Sequence, residues 1–142
     1  MDPVKLVAIF TENKSGQLAR VTALLKEANI NIRWVTIASS DTFGVIKLLV
    51  NEPDLAFRQL KHNALPVSLL EVVAVEVEDK PGGLWTVASV LGQAGVNIEN
   101  ASGIVTQGRA VLLIEVQDVA RAKSTLQAQG LRLLSAQETL AL

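Results

Sequence analysis

The chain of 142 residues has no cysteine, no tyrosine, a single histidine and four prolines. Without cysteine it can form no disulfide, hold no zinc through thiolates and offer no thiol nucleophile. Aromatic residues make up 4% of the chain, carried by Phe10, Trp34, Phe43, Phe57 and Trp85, so the core has to be aliphatic. Neither sign of charge dominates: 13 Lys and Arg stand against 14 Asp and Glu, a net charge of −1. The basic footprint of a nucleic-acid or anionic-membrane binder is therefore missing. No apolar run approaches the roughly 20 residues of a membrane span. The start, Met1-Asp2-Pro3-Val4-Lys5, has neither the basic nor the apolar region of a signal peptide. A cytoplasmic location is the expectation. What remains is 49% hydrophobic and 19% charged residues, enough for one ordinary domain or two small ones.

The dominant feature is an internal repeat, which bears on architecture before any local signal does. Residues 4–66 align without a gap onto residues 70–132, at a constant offset of 66. Identical pairs include Val7/Val73, Glu12/Glu78, Lys14/Lys80, Gly16/Gly82, Leu18/Leu84, Leu25/Leu91, Asn31/Asn97, Val45/Val111 and Leu60/Leu126. The division expected is 1–69 and 70–142. No Gly-, Ser- or Pro-rich linker separates the copies, so close fusion is expected.

Each copy reads as βαββαβ. Val4–Thr11 and Leu70–Val77 are short runs rich in β-branched residues, the pattern of strands. Leu18, Val21, Leu25 and Ala28 share one helical face, as do Leu84, Val87, Leu91 and Ala94. Asn29 and Gly95 mark helix exits. Strand character resumes over Ile30–Ala38 and Val96–Val105. Asp41–Gly44 and Gln107-Gly108 are turns leading to Val45–Val50 and Ala110–Val116. Pro53 fits the first position of a second helix, and Asp118 its N-cap in the other copy. Short final strands are expected near Leu65–Leu70 and Leu131–Leu134, and Ser135-Ala136-Gln137-Glu138 fits a capping box. The class is α+β: two ferredoxin-like units in tandem, antiparallel sheets with helices on one face. The third strands are apolar on both sides, which implies cover for the second sheet face from the sister unit or another copy. A homodimer is the commonest such assembly.

Two turns stand out between first strand and first helix. The second is Glu78-Asp79-Lys80-Pro81-Gly82-Gly83-Leu84, with Pro81 suited to the first helical position; the first is Glu12-Asn13-Lys14-Ser15-Gly16-Gln17-Leu18. Together with Ala28-Asn29-Ile30-Asn31-Ile32 and Ala94-Gly95-Val96-Asn97-Ile98, these turns resemble those of the ACT domain, and the resemblance covers nearly the whole chain. It implies regulatory binding of small molecules, typically amino acids, at interfaces between ACT units, as in stand-alone tandem ACT proteins. It also implies ligand contacts on the turns (Asn13, Ser15, Gly16, Gln17, Leu18; Asp79, Pro81, Gly82, Gly83, Leu84) and at the start of the second strands (Asn31, Ile32; Asn97, Ile98, Asn100). The chemistry fits independently. A helix N-terminus suits a carboxylate, and Asn13, Asp79 or the strand asparagines could accept from an ammonium. The second turn, with its proline and paired glycines, is the nearer to the family form.

Blander roles stay open for the same residues. Gly16 and Gly82 suit a tight turn, Asp79 an N-cap, Asn31 and Asn97 the backbone of a strand start. Trp34 and Trp85 suit core or interface filling as well as ligand stacking. His62 has neighbours of no telling kind and reads as a surface residue. No triad, metal-ligand spacing or phosphate loop is present, so no catalytic residue, metal or cofactor is assigned. RNA-recognition modules share the element order but need aromatics on the third strand, where Val45–Val50 and Val111–Val116 have none. The expectation is a non-catalytic regulator binding an amino acid. The alternative is a ligand-free module that docks on a partner enzyme.

Overall fold

The computed structural model describes all residues, Met1–Leu142. They form two compact units, one of residues Lys5–Leu70 (the N-terminal unit) and one of Met1–Val4 with Glu71–Leu142 (the C-terminal unit). The elements in order are β1 Val4–Glu12, α1 Gln17–Glu27, β2 Ile32–Ser39, β3 Phe43–Val50, α2 Pro53–His62, β4 Val67–Glu78, α3 Gly83–Gln93, β5 Asn100–Thr106, β6 Arg109–Glu115, α4 Val119–Ala128 and α5 Ala136–Leu140. No helix is long and apolar enough to cross a membrane.

In the N-terminal unit β3 lies between β1 and β2, antiparallel to both, with Val7 opposite Leu48 and Leu48 opposite Val35. The chain after α2 returns beside β1, where the Phe10 N–H donates to the Pro66 carbonyl at 3.0 Å. The C-terminal unit repeats this arrangement. β6 lies between β4 and β5, and residues 132–134 return beside β4 through Glu76 N–H to Arg132 O (2.9 Å) and Leu134 N–H to Ala74 O (2.9 Å). Each is a ferredoxin-like sheet.

Alternation along the strands decides the cores. Val7, Ile9, Ile46, Leu48 and Val50 meet Val21 and Leu25 of α1 and Ala56 and Leu60 of α2. Val73, Val75, Ile114 and Val116 meet Val87, Leu91, Ala122 and Leu126 in the same way. The opposite strand positions Leu6, Ala8, Leu49, Ala74, Val111 and Leu113 are also buried within the single chain.

The local signals for helix ends hold at most positions. Asn29 and Gly95 adopt φ of 57° and 73°. Pro53 opens α2, Asp118 Oδ1 accepts from the Arg121 N–H at 3.0 Å, and Ser135 with Glu138 completes a reciprocal capping box. His62 is exposed at the end of α2.

Other expectations are corrected. Pro81 precedes α3 instead of opening it, because Gly82 takes the N-cap position in a left-handed conformation, and no side chain, Asp79 included, caps the helix. β5 begins at Asn100, later than expected, since its pairing starts opposite Glu115, where β6 ends. The expected strand at 131–134 is a single bridge, Val75 with Leu133. Trp85 is not a core residue: it is 70% exposed.

Candidate functional site

Both glycine turns are built by the same backbone device. Gly16 and Gly82 have φ of 90° and 92°, a region closed to most side chains, and each is the N-cap of its helix. Nothing lies within 4 Å of where a Cβ would stand, so conformation and not crowding requires glycine here. No side chain caps either helix. The first N–H groups of α1 thus lack both intrahelical and side-chain acceptors and carry the positive end of the helix dipole, whereas in α3 the Gly83 N–H donates to the Lys80 carbonyl at 3.1 Å.

In the N-terminal unit the turn is tied to the β2–β3 connection. The Asn13 N–H donates to Thr42 O at 2.8 Å, and Asn13 Nδ2 donates to Ser40 O at 2.9 Å. This commits the amide nitrogen of Asn13 and leaves its Oδ1 as an acceptor. The result is a concavity of about 250 Å³ bordered by Asn13, Ser15, Gly16, Gln17 and Leu18 of the turn, with Ile37 and Ser39 of β2 opposite. It combines helix N–H donors, the three hydroxyls of Thr11, Ser15 and Ser39, and an apolar wall. The Glu12–Lys14 ion pair (3.4 Å) keeps its rim near neutral.

The C-terminal turn differs. A Cβ on Gly83 would overlap the Glu78 carbonyl oxygen, so this glycine serves the close approach of α3 to the end of β4. Pro81, Gly82 and Gly83 border a concavity of about 260 Å³ together with Trp85 and Leu131. Asp79 and Lys80 face a wider one of about 540 Å³ that includes Glu76, Arg109 and Arg132. Glu76 accepts from Arg109 Nε (2.8 Å) and Arg132 Nη1 (3.0 Å), and Arg132 Nη2 donates to Glu138 (2.6 Å). The hydrogen bond from Arg109 holds the Glu76 carboxyl below the usual glutamate range and raises Arg109 in return. Glu138 is lowered by the Ser135 N–H first and by Arg132 second.

The strand-start residues do not join these turns within their own units. Asn31 and Ile32 follow α1, at the far end of an eleven-residue helix from Gly16, roughly 16 Å away at 1.5 Å per residue. Asn31 is bonded twice to Asn51: its N–H donates to the side-chain Oδ1 at 3.0 Å, and its carbonyl accepts from the Asn51 N–H at 3.2 Å. Together with Thr22, Lys26 and Asn29 it borders a separate concavity of about 370 Å³. Asn97 and Ile98 follow α3 in the same way, and Asn100 opens β5 opposite Glu115. Ile37 and Ser39, which the turn does meet, went unnoticed in the sequence. Their signal lay in topology: antiparallel β1–β3–β2 pairing brings the C-terminal end of β2 to the C-terminal end of β1.

Comparison with known proteins agrees with this architecture. The profile of the ACT domain pair matches residues 2–142. Protein BT0572 from Bacteroides thetaiotaomicron has a solved structure that is 32% identical, covering 99% of this chain and 97% of that one, with a TM-score of 0.91. The ligand-free regulatory subunit of aspartate kinase from Thermus thermophilus is similar in fold: 15% identity, 90% and 93% coverage, TM-score 0.64. The regulatory subunit of aspartate kinase from Thermus flavus gives 16%, 90% and 90%, and 0.62. No curated protein matches the sequence. A gapless duplication, two ferredoxin-like units and a profile match over almost every residue lead to one conclusion: the chain belongs to the ACT domain pair family.

Proposed function

We propose that this ACT domain pair is a non-catalytic, cytoplasmic regulatory protein that binds an amino acid at its glycine turns, where ACT units of two copies meet. The observation that carries the reading is the uncapped start of α1 on left-handed Gly16, opening on a concavity of about 250 Å³. A carboxylate on those N–H groups is favoured by donor geometry and by the helix dipole. Asn13 Oδ1 and Ser39 supply acceptors for an ammonium, and Ile37 and Leu18 an apolar wall. Asn31 and Asn97, remote from the turns of their own units, would complete such sites from a second copy in a homodimer. Ligand binding would then order the turns and shift an equilibrium that a partner enzyme reads.

A thermal-shift screen against the common amino acids tests this. A ligand at 100 times its Kd stabilises the native state by about 2.7 kcal/mol, a clear rise in Tm. No shift with any amino acid sinks the proposal. A second reading, a ligand-free docking module, draws on Leu84 and Trp85, which stand 58% and 70% exposed at the start of α3. Light scattering at micromolar concentration separates a dimer from a monomer.

A further inference from the structure

The duplication provides an internal comparison at one end of the two sheets. The backbone is the same there: Phe10 N–H to Pro66 O corresponds to Glu76 N–H to Arg132 O at the offset of 66, with 3.0 and 2.9 Å. Phe43 opposite Glu12 corresponds to Arg109 opposite Glu78. The side chains, however, are of different chemistry. Glu76, Arg109 and Arg132 satisfy one another in the C-terminal unit through the ion pairs given above. The matching positions of the N-terminal unit, Phe10, Phe43 and Pro66, hold no charge. The two phenyl groups are 51% and 63% exposed.

They border a concavity of about 290 Å³ whose polar members are Thr11, Glu12, Gln17 and Arg20. Arg20 is held one turn into α1 by its N–H bond to Gly16 O at 3.0 Å, while its guanidinium takes part in no hydrogen bond or ion pair. Its counterpart is Thr86, so the C-terminal unit has no cation at this place. Glu12 is paired only with exposed Lys14. The set therefore offers a free fork of donors for a carboxylate, an acidic group for a cation, and two aromatic faces with a proline ring for an apolar body. The volume lies at the low end of ligand-sized clefts, roughly 300 Å³ and above, which favours a metabolite of a few heavy atoms.

We propose that this concavity is a ligand site of the N-terminal unit, additional to the glycine-turn concavity, and that it takes a small zwitterion with an apolar body, of the kind an α-amino acid with a branched or aromatic side chain provides. Arg20 holds the carboxylate, Glu12 the ammonium, and Phe10, Phe43 and Pro66 enclose the apolar part. The C-terminal unit does not have the site, because its ion network fills the same positions. The proposal rests on the reading of the chain as a small-ligand binder but assigns a neighbouring concavity, which shares Thr11, Glu12 and Gln17 with the glycine-turn one and is set apart by Phe10, Arg20, Phe43 and Pro66.

The test is calorimetric titration of the full chain with L-leucine and L-phenylalanine, followed by backbone NMR mapping. The expected result is binding that weakens at least about tenfold with leucinamide, with N-acetyl-leucine and in Arg20→Gln, since each removes one charge-assisted contact. The combined variant Phe10→Glu, Phe43→Arg, Pro66→Arg, which installs the C-terminal unit's network, is expected to abolish binding. Should that variant not fold, Arg20→Gln and the NMR map decide the question alone. Shifts centred on Phe10, Arg20 and Phe43 support the site. Shifts confined to Ile37 and Ser39 overturn it while leaving the proposed function standing, as does a screen in which only polar amino acids bind. A change of mass in light scattering on Phe43→Arg, with leucine binding intact, also overturns it by making the face a subunit contact.

Discussion

Substitution at Gly16 isolates the backbone contribution of the glycine turn. The residue sits at φ 90°, ψ −12°, and no atom lies within 4 Å of an ideal Cβ. Replacing it with alanine therefore adds no clash with its surroundings, and the cost is that of holding an L-residue in left-handed space, about 1–2 kcal/mol. Asparagine, which visits that region more readily, is expected to cost less, and valine, branched at Cβ, to cost more. Gly82, at φ 92° with equally open surroundings, should give the same order. Gly83→Ala should behave differently, because its penalty comes from overlap with the Glu78 carbonyl and forces the start of α3 to move. The matching residue of the N-terminal unit is Gln17, so the reverse change Gln17→Gly should cost only helix propensity, up to about 1 kcal/mol. Urea unfolding at constant m reads these differences from the midpoint. In thermal scans 1 kcal/mol corresponds to roughly 2–8 °C, depending on whether the units unfold together. Equal stability of Gly16→Asn and Gly16→Val would refute the idea that left-handed conformation is what glycine supplies here.

Leu60→Ala and Leu126→Ala each empty a fully buried position in a different core and should cost about 2–5 kcal/mol apiece; near-additive urea midpoints in the double variant check that the cores are independent. Asp118→Ala removes the only acceptor side chain at the start of α4 and should cost about 1 kcal/mol, whereas Glu52→Ala, at an N-cap with no side-chain bond, should be close to neutral. Glu76 has its carboxyl lowered from an ordinary value of 4.5 by Arg109, so it contributes stability that is complete above that value and is lost as pH falls through the folded-state value. The stability difference between the native chain and Glu76→Gln, followed by urea titration, should be flat from pH 6 to about 5.5 and shrink below about 4.5. A difference that grows on acidification contradicts the ion network.

Much of this architecture was legible because its causes are local. The gapless offset of 66 residues, the helical spacing of Leu18, Val21 and Leu25, the exits at Asn29 and Gly95, and the caps at Asp118 and Ser135 all depend on a few neighbouring residues. The sequence by itself thus determined the element order, the βαββαβ repeat, the aliphatic cores and the two glycine turns. Two things depended on distant contacts. Pro81 reads as a helix start, but the left-handed step at Gly82 moves that start to Gly83, and only the close approach of α3 to Glu78 explains why the next residue is also glycine. The asparagines near Asn31 and Asn97 read as partners of the turns, yet a helix about three turns long separates them within each unit. Tertiary structure instead brings Ile37 and Ser39 to Gly16, and Arg20 to Phe10 and Phe43. Strand pairing joins residues far apart in the chain, and no local pattern records which side chains it sets face to face.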